Sequence, residues 1–219
     1  MQIYLARTGY HLSPLTVHKY MNGELGLMSV TRRKKPEYKH GKAHKTFENK
    51  LNQDFHADEI NQKWCTDFTY LFLSDGEVRY NCSIIDLHDR SIVASITDRK
   101  MTSDLAIRTL RKAIDSQSSI KGDLILHSDQ GTQYTSKAFV DFCESVHVTQ
   151  SMSKAGYPYD NAPMERYFNT LKNECTDLYD FRTEEELYQA VEEFAYVQYN
   201  HVRPHSYNSY KTPYQARVA

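Results

Sequence analysis

Apolar residues recur along this chain with two different periods, and the switch between them divides it. Near the N-terminus Ser13-Pro14 opens a short helical pattern from Leu15 to about Met21, with Leu15 and Tyr20 as its apolar points, and Gly23 and Gly26 break it. Thr31–Lys50 has no apolar period and predicts an extended linker. From Lys63 the run KWCTDFTYLFLS is β-branched and aromatic, and long enough for a buried strand. Asp75-Gly76 is a hairpin signal. Val78–Asp86 forms a second strand, and His88-Asp89-Arg90 turns into a third over Ser91–Thr97.

After this antiparallel meander the period becomes helical. Thr102-Ser103 caps a helix in which Leu105, Thr109, Ala113 and Leu110, Ile114 share a side. Gly122 ends it, DLILHSD reads as a short central strand, Ser136–Glu144 as a helix and His147–Ser151 as a last strand. Asn161-Ala162-Pro163 starts another helix, with proline in the first turn where its missing N–H costs little. Thr183 and Glu186 form a capping box for a long helix with Leu187, Val191, Phe194 and Val197 on one side. The tail after Asn200, with Pro204 and Pro213, predicts irregular structure. The sum is an α/β domain around a five-stranded mixed sheet, a meander plus parallel strands, with flanking helices.

Composition narrows the classes. In 219 residues, 40% hydrophobic content supplies a core, while 8 glycines and 6 prolines exclude collagen-like and low-complexity chains. There is no apolar run of about 18 residues and no apolar signal-peptide core, so neither a membrane span nor secretion is expected. Cys65, Cys82, Cys143 and Cys175 are scattered without a CxxC pair, which predicts buried free thiols in a reducing cytosol. The net charge of −1 hides an asymmetry: residues 1–60 carry 10 basic against 6 acidic side chains, and within Thr31–Lys50 the ratio is 8 to 2. A basic arm precedes an acidic body.

Three acids stand out by context. Asp67 lies inside an apolar strand, where a carboxylate is expensive unless it is paired or metal-bound. Asp129 follows the end of the Leu124–Leu126 run, and open α/β sheets place ligands at such strand ends. Glu165 falls in the first turn of a helix. The 35-residue gap between Asp129 and Glu165 is weak by itself, because about one such pair arises by chance in a chain this acidic. The flanks WCTDFTY, HSDQGTQYTS and DNAPMERYFNTLKNE carry the information.

With those flanks, the Tyr157–Asn161 loop and the tail segment YNHVRPH, the chain resembles the integrase-type catalytic core of bacterial insertion-sequence transposases. These form a two-reading-frame family related to retroviral integrases. The resemblance runs from about Leu51 to Ala216 and matches a D, D, 35, E pattern with a basic residue seven positions beyond the glutamate: Asp67, Asp129, Glu165 and Lys172. It implies an RNase H-like fold and a divalent-metal-dependent polynucleotidyl transferase, which cleaves and transfers DNA strands during transposition. It also implies a bacterial, nucleoid-associated cytoplasmic enzyme acting on element ends and target DNA as a homo-oligomer, with a partner from the upstream reading frame carrying a helix-turn-helix. Residues 1–50 would then be a helix-turn-helix-like remnant with a basic linker, and 51–219 the catalytic core with C-terminal helices.

The chemistry of the residues agrees. Two carboxylates about 4 Å apart repel by about 4 kcal/mol at an effective dielectric near 20. Such acids are stable as anions around cations, and oxygen-only ligands favour Mg²⁺ or Mn²⁺. Two ions held by Asp67, Asp129 and Glu165 would clamp the attacking and leaving oxygens of an in-line displacement. Lys172 lies two turns, about 10.5 Å, beyond Glu165, with Asn169 between them, an edge suited to DNA backbone. Arg32, Arg33, Lys34 and Lys35 would track phosphates. His127 reads either as a positioner beside Asp129 or as a structural histidine, and Arg203 and His205 either as phosphate contacts or as a solvated tail. Two other functions stay open at this point: an RNase H-like nuclease without strand transfer, and an inactive truncated DNA-binding fragment.

Overall fold

The computed structural model describes residues 1–28, 45–118, 120, 122–154 and 157–219. The chain divides into two units, Met1–Glu37 and Tyr38–Ala219. In the first, α1 spans Gln2–Arg7 and α2 Pro14–Lys19, where Ser13 caps α2 by accepting from the Thr16 N–H and a π-turn over Tyr20–Glu24 follows. The arm residues Arg32, Arg33, Lys34 and Lys35 lie outside the described residues.

The second unit is built on one sheet, in the order β3-β2-β1-β4-β5. β1 (Lys63–Phe72), β2 (Val78–Asp86) and β3 (Ile92–Asp98) are the expected antiparallel meander, and Gly76 at φ 88° makes the first turn. β4 (Leu124–Ser128) pairs parallel to β1, and β5 (Val148–Met152) parallel to β4. The run from Trp64 to Thr66 reads as continuous rather than alternating because both faces of the sheet are covered.

One face packs Trp64, Ile84, Ala94 and Leu126 against Leu110 and Ala113 of α3 (Ser103–Asp115). Tyr134 of α4 (Thr132–Thr135) and Phe139 of α5 (Lys137–Ser145) complete that layer. The other face packs Cys65, Leu71, Ile85 and Leu87 against Met164, Tyr167 and Leu171 of α6 (Ala162–Leu171), and against Leu187 and Val191 of α7 (Glu184–Glu193). Residues 48–50, read from sequence as linker, run along β5: the Met152 N–H donates to the Glu48 carbonyl at 3.4 Å, and the Lys50 N–H to Ser151 Oγ at 2.9 Å. All four cysteines are buried and free, and burial raises their thiol pKa values.

Two expectations need correction. The capping box of Thr183 and Glu186 is present, but after Glu193 the helix widens into a π-helical run, Phe194–Val202. The i→i+5 pitch rotates the apolar face, so Phe194, Ala195 and Tyr199 are buried and Val197 is 47% exposed. The tail is also ordered. Thr212 and Gln215 form a second capping box on α8 (Pro213–Arg217), whose Arg217 reaches Asp86 at 3.1 Å and Asp89 at 2.6 Å. Contacts across some 130 residues leave no local signal.

Candidate active site

Strand register places the first two acids. β4 pairs with β1 through Cys65↔His127; two residues further along, Asp67 lies within β1 and Asp129 stands one residue past the end of β4. Both are half-buried. Parity puts Asp67 on the same face of β1 as Cys65 and Leu71, the face that α6 covers. Its Oδ1 accepts the Phe68 N–H at 2.7 Å. Asp129 Oδ1 accepts the Gly131 N–H at 2.9 Å in a tight Asx turn. A Cβ on Gly131 would lie 2.9 Å from that same oxygen, so only glycine lets the backbone come this close.

Tyr134 packs behind Thr66, the residue before Asp67. Its fully buried hydroxyl is hydrogen-bonded to Thr66 Oγ1 at 3.1 Å, and its ring packs between Phe68 and Phe139. Burial raises its pKa well above the usual value, and the charges of Cys82, Asp67 and Asp129 add to the shift. Both aspartates therefore lie within electrostatic reach of one neutral phenol.

Glu165 sits in the first turn of α6, half-buried, while Met164, Tyr167, Phe168 and Leu171 anchor that helix to the sheet. Asn161, which precedes the helix, donates from Nδ2 to the Thr66 carbonyl at 3.1 Å, tying the start of α6 to the backbone one residue before Asp67. The loop before it is fixed by Asp160, which accepts from Asn49 Nδ2 at 2.9 Å, Gln53 Nε2 at 2.9 Å and the Lys154 N–H at 3.0 Å. Burial pushes this carboxyl upward, but the hydrogen bonds from Gln53 and Lys154 outweigh it and its pKa falls below the usual value. Tyr157 and Tyr159 on the same loop are exposed.

α6 runs to Leu171 and a π-helical turn over Lys172–Thr176 follows, so Glu165 and the exposed Asn169 lie one turn apart on α6 and the half-buried Lys172 opens the wider turn beyond it. Asn169 Oδ1 accepts from Asn173 Nδ2 at 3.3 Å. Among the described residues, no three His, Cys, Asp or Glu side chains are gathered closely enough to hold a metal ion. Unscreened repulsion among carboxylates opposes such gathering without a cation. The donor chemistry of the three acids, all hard oxygens, fits Mg²⁺ or Mn²⁺.

The other candidates divide. His127 is fully buried with Nδ1 at 2.9 Å from Ser151 Oγ and Nε2 at 3.1 Å from Ser153 Oγ, and burial lowers its pKa to about 4 against the opposing charge of Asp160. Both ring nitrogens are occupied, which makes it a structural histidine. Arg203 forks onto Glu174 with two contacts of 2.8 Å. Gly131 and Tyr134 lie in the HSDQGTQYTS flank and Asp160 opens the DNAPMERYFNTLKNE flank, but the sequence does not give their individual roles.

An integrase core domain model matches residues 57–158, covering Asp67 and Asp129, and a second integrase core domain model matches 146–213, covering Glu165 and Lys172. The chain is 32% identical over 199 residues to the putative transposase InsK for insertion sequence element IS150 of Escherichia coli, covering 91% of this chain and 69% of that protein. It is 36% identical to the transposase for insertion sequence element IS904 of Lactococcus lactis, covering 75% of this chain and 64% of that protein. With the insertion element IS600 31 kDa protein of Shigella sonnei it shares 37% identity over 72% of this chain and 57% of that protein. The chain thus spans less than two thirds of the length of the last two.

Among solved structures, the simian T-cell lymphotropic virus intasome, in complex with a PP2A regulatory subunit, superposes with a TM-score of 0.63 at 18% identity over 100% of this chain and 74% of that one. The HTLV-2 integrase catalytic core in complex with magnesium gives 0.56 at 21% identity, over 73% of this chain and 98% of that one. The fold is RNase H-like, a five-stranded mixed sheet with flanking helices.

Proposed function

The chain belongs to the integrase-core family of insertion-sequence transposases, and from that premise we propose that it carries the catalytic core of a DNA transposase, a metal-dependent polynucleotidyl transferase. The observation that carries this reading is that Asp67 in β1 and Asp129 just past the end of the adjacent β4 each follow the Cys65↔His127 pair by two residues, while Asn161 ties the start of α6, which bears Glu165, to the Thr66 carbonyl.

Asp67, Asp129 and Glu165 would hold two Mg²⁺ or Mn²⁺ ions, which when bound would neutralise charge on the scissile phosphate and favour the attacking oxygen. The chain's own work is positioning. The Phe68 and Gly131 amides each fix one aspartate oxygen, and Asn161 fixes the start of the helix that delivers Glu165. Asn169 and Lys172 would orient the DNA end, and Arg32, Arg33, Lys34 and Lys35 would add phosphate contacts. In cleavage, water attacks the phosphorus and the bridging P–O bond to a 3′-oxygen breaks. In transfer, that freed 3′-hydroxyl attacks a target phosphodiester and displaces another 3′-oxygen. The enzyme would act in the bacterial cytoplasm, at the nucleoid, as a homo-oligomer on element ends and target DNA, with the upstream-frame helix-turn-helix protein as a partner.

A labelled oligonucleotide bearing an element end, incubated with Mg²⁺ and target duplex, tests this. Strand-transfer product that disappears in Asp67→Asn is the expected result. Cleavage without transfer would point to a nuclease, and binding alone to an inactive fragment.

A further inference from the structure

Residues 48–53 precede the stretch matched by the integrase core models, which begins at residue 57, yet they are built into the candidate site. Asn49 is 7% exposed, and both ends of its carboxamide are committed. Its Oδ1 accepts the Leu51 N–H at 3.1 Å and the Asn52 N–H at 2.9 Å, while Nδ2 donates to Asp160 Oδ2 at 2.9 Å. The turn made in this way holds Asn52 at φ 45° and Gln53 at φ 63°, left-handed backbone that is costly for residues with a Cβ. It delivers Gln53, whose Nε2 donates to the other oxygen of Asp160, Oδ1, at 2.9 Å. Two consecutive strained residues that end on one carboxylate point to a role beyond joining two segments.

This strap reaches two of the three candidate acids. Asp160 is 3% exposed, accepts the Lys154 N–H at 3.0 Å as well, and donates its own N–H to the Tyr157 carbonyl at 3.1 Å, so it closes the loop 157–161. The next residue, Asn161, ties the start of α6 to the Thr66 carbonyl, and Glu165 stands one turn further on. On the other side, the Lys50 N–H donates to Ser151 Oγ, which lies 2.9 Å from His127 Nδ1, and His127 is two residues before Asp129. One short segment therefore braces the loop that leads to Glu165 and the strand that leads to Asp129.

We propose that Asn49 is a positioning residue for strand transfer, which holds the loop 157–161 through Asp160, with Gln53 as the second point of attachment. The inference rests on the reading of Glu165 as an acid of a DNA transposase. Asn49 acts through Asp160 and not on the DNA. With Asn49, Gln53 and Lys154 all donating, the Asp160 carboxylate has one place to be, and the helix start that follows it is fixed with it. Without the Asn49 donor the loop can drift, and a displacement of 1 Å at Glu165 is enough to cost about 100-fold in rate.

Single-turnover strand transfer by the whole chain, at saturating DNA and Mg²⁺, tests this beside duplex binding and a thermal melt. Asn49→Asp keeps the oxygen that the turn needs but sets a second carboxylate against Asp160 in place of a donor. It should slow transfer about 10- to 100-fold. Duplex affinity should stay within about twofold, as expected for a site that shares no partner with the DNA. Asp160→Asn should slow transfer similarly, because either orientation of the new amide sets an N–H against a donor. N49D/D160N reverses the hydrogen bond and should recover about tenfold over either single variant, short of full activity because the Lys154 N–H loses its acceptor. A residue that served stability alone would give additive losses with no recovery. Gln53→Ala decides if Asn49→Asp melts early: Gln53 is exposed, and loss of its one contact to Asp160 should slow transfer about fivefold in a chain still folded at the assay temperature. Full transfer in Asn49→Asp or Gln53→Ala, or no recovery in N49D/D160N, overturns the positioning role. If the unsubstituted chain transfers strands alongside that result, this role alone falls. If the unsubstituted chain transfers none, both readings fall.

Discussion

Gly131→Ala is the sharpest small perturbation of the site. Gly131 is not at a positive φ, being at φ −57°, so alanine is conformationally acceptable there and would lower the entropy of the unfolded chain. The obstacle is steric. The new Cβ would stand 2.9 Å from Asp129 Oδ1 and 3.0 Å from Gln133 Oε1, where ordinary contact begins at 3.4 Å. Gln133 ends in a flexible amide and can swing aside. Asp129 Oδ1 is held by the Gly131 N–H itself, at 2.9 Å, so relief of about half an ångström must come from the carboxylate. A misplacement of 1 Å in a catalytic group costs about 100-fold, which puts the expected loss of single-turnover strand transfer at about 10- to 100-fold. Global stability should change by less than about 1 kcal/mol. Single-turnover transfer beside a thermal melt measures both. Full transfer activity in Gly131→Ala would show that the position of Asp129 does not matter to the chemistry.

Asp67→Asn should remove metal-dependent activity, and melts with and without Mg²⁺ should show that the metal-induced stabilisation is lost; an undiminished Mg²⁺ shift would count against a metal site there. His127, with its pKa lowered to about 4 by burial, binds its proton more readily in the unfolded chain, so it stabilises the fold fully above pH 6.5 and progressively less as pH falls toward 4. That contribution is about 3 kcal/mol, and His127→Gln should flatten the acid limb of a denaturant-midpoint profile, whereas an unaltered limb would contradict it. Leu187→Ala should destabilise by about 2–5 kcal/mol and Val197→Ala by less than about 0.5 kcal/mol. Equal losses in urea unfolding would mean that the π-helical register is wrong.

How much of this was legible beforehand depends on the range of the interaction. The meander, the caps at Thr102, Ser136 and Thr183, and the proline in the first turn of α6 are set by neighbours within a few residues, and each lies within a residue or two of its expected place. Val197 was misread because a π-run follows from how Phe194 and Tyr199 fill the space beside α6, which no local period encodes. α8 was missed for a similar reason: its Arg217 is held by Asp86, Asp89 and Asn61. At the site, Asp67 was conspicuous because a carboxylate interrupts an apolar strand. Asp160, a hub for Asn49, Gln53 and Lys154, looks like any loop aspartate until the chain is folded.

The acidic body poses a last question, since residues 61–219 carry 17 basic against 22 acidic side chains and DNA is a polyanion. The sign of the whole is a poor guide to the sign at one place, because many of the charges are matched inside the fold. Glu184 is held by Arg99 and Arg79, which together draw its pKa to about 2, and Arg108 pairs with Asp98 and Asp104. Arg217 pairs with Asp86 and Asp89 in the interior. These matched groups contribute little field beyond their own neighbourhood. Screening at physiological salt has a length of about 8 Å, so excess carboxylates elsewhere on the surface are muted at the α6 edge. What a phosphate meets along α6 is set locally, by the exposed Arg166 and the half-buried Lys172 on either side of Asn169. A negative body with a locally positive edge also repels DNA laid across it in other orientations. Orientation would then be selected before contact, and the strand that fits would be the one passing α6, where Glu165 stands.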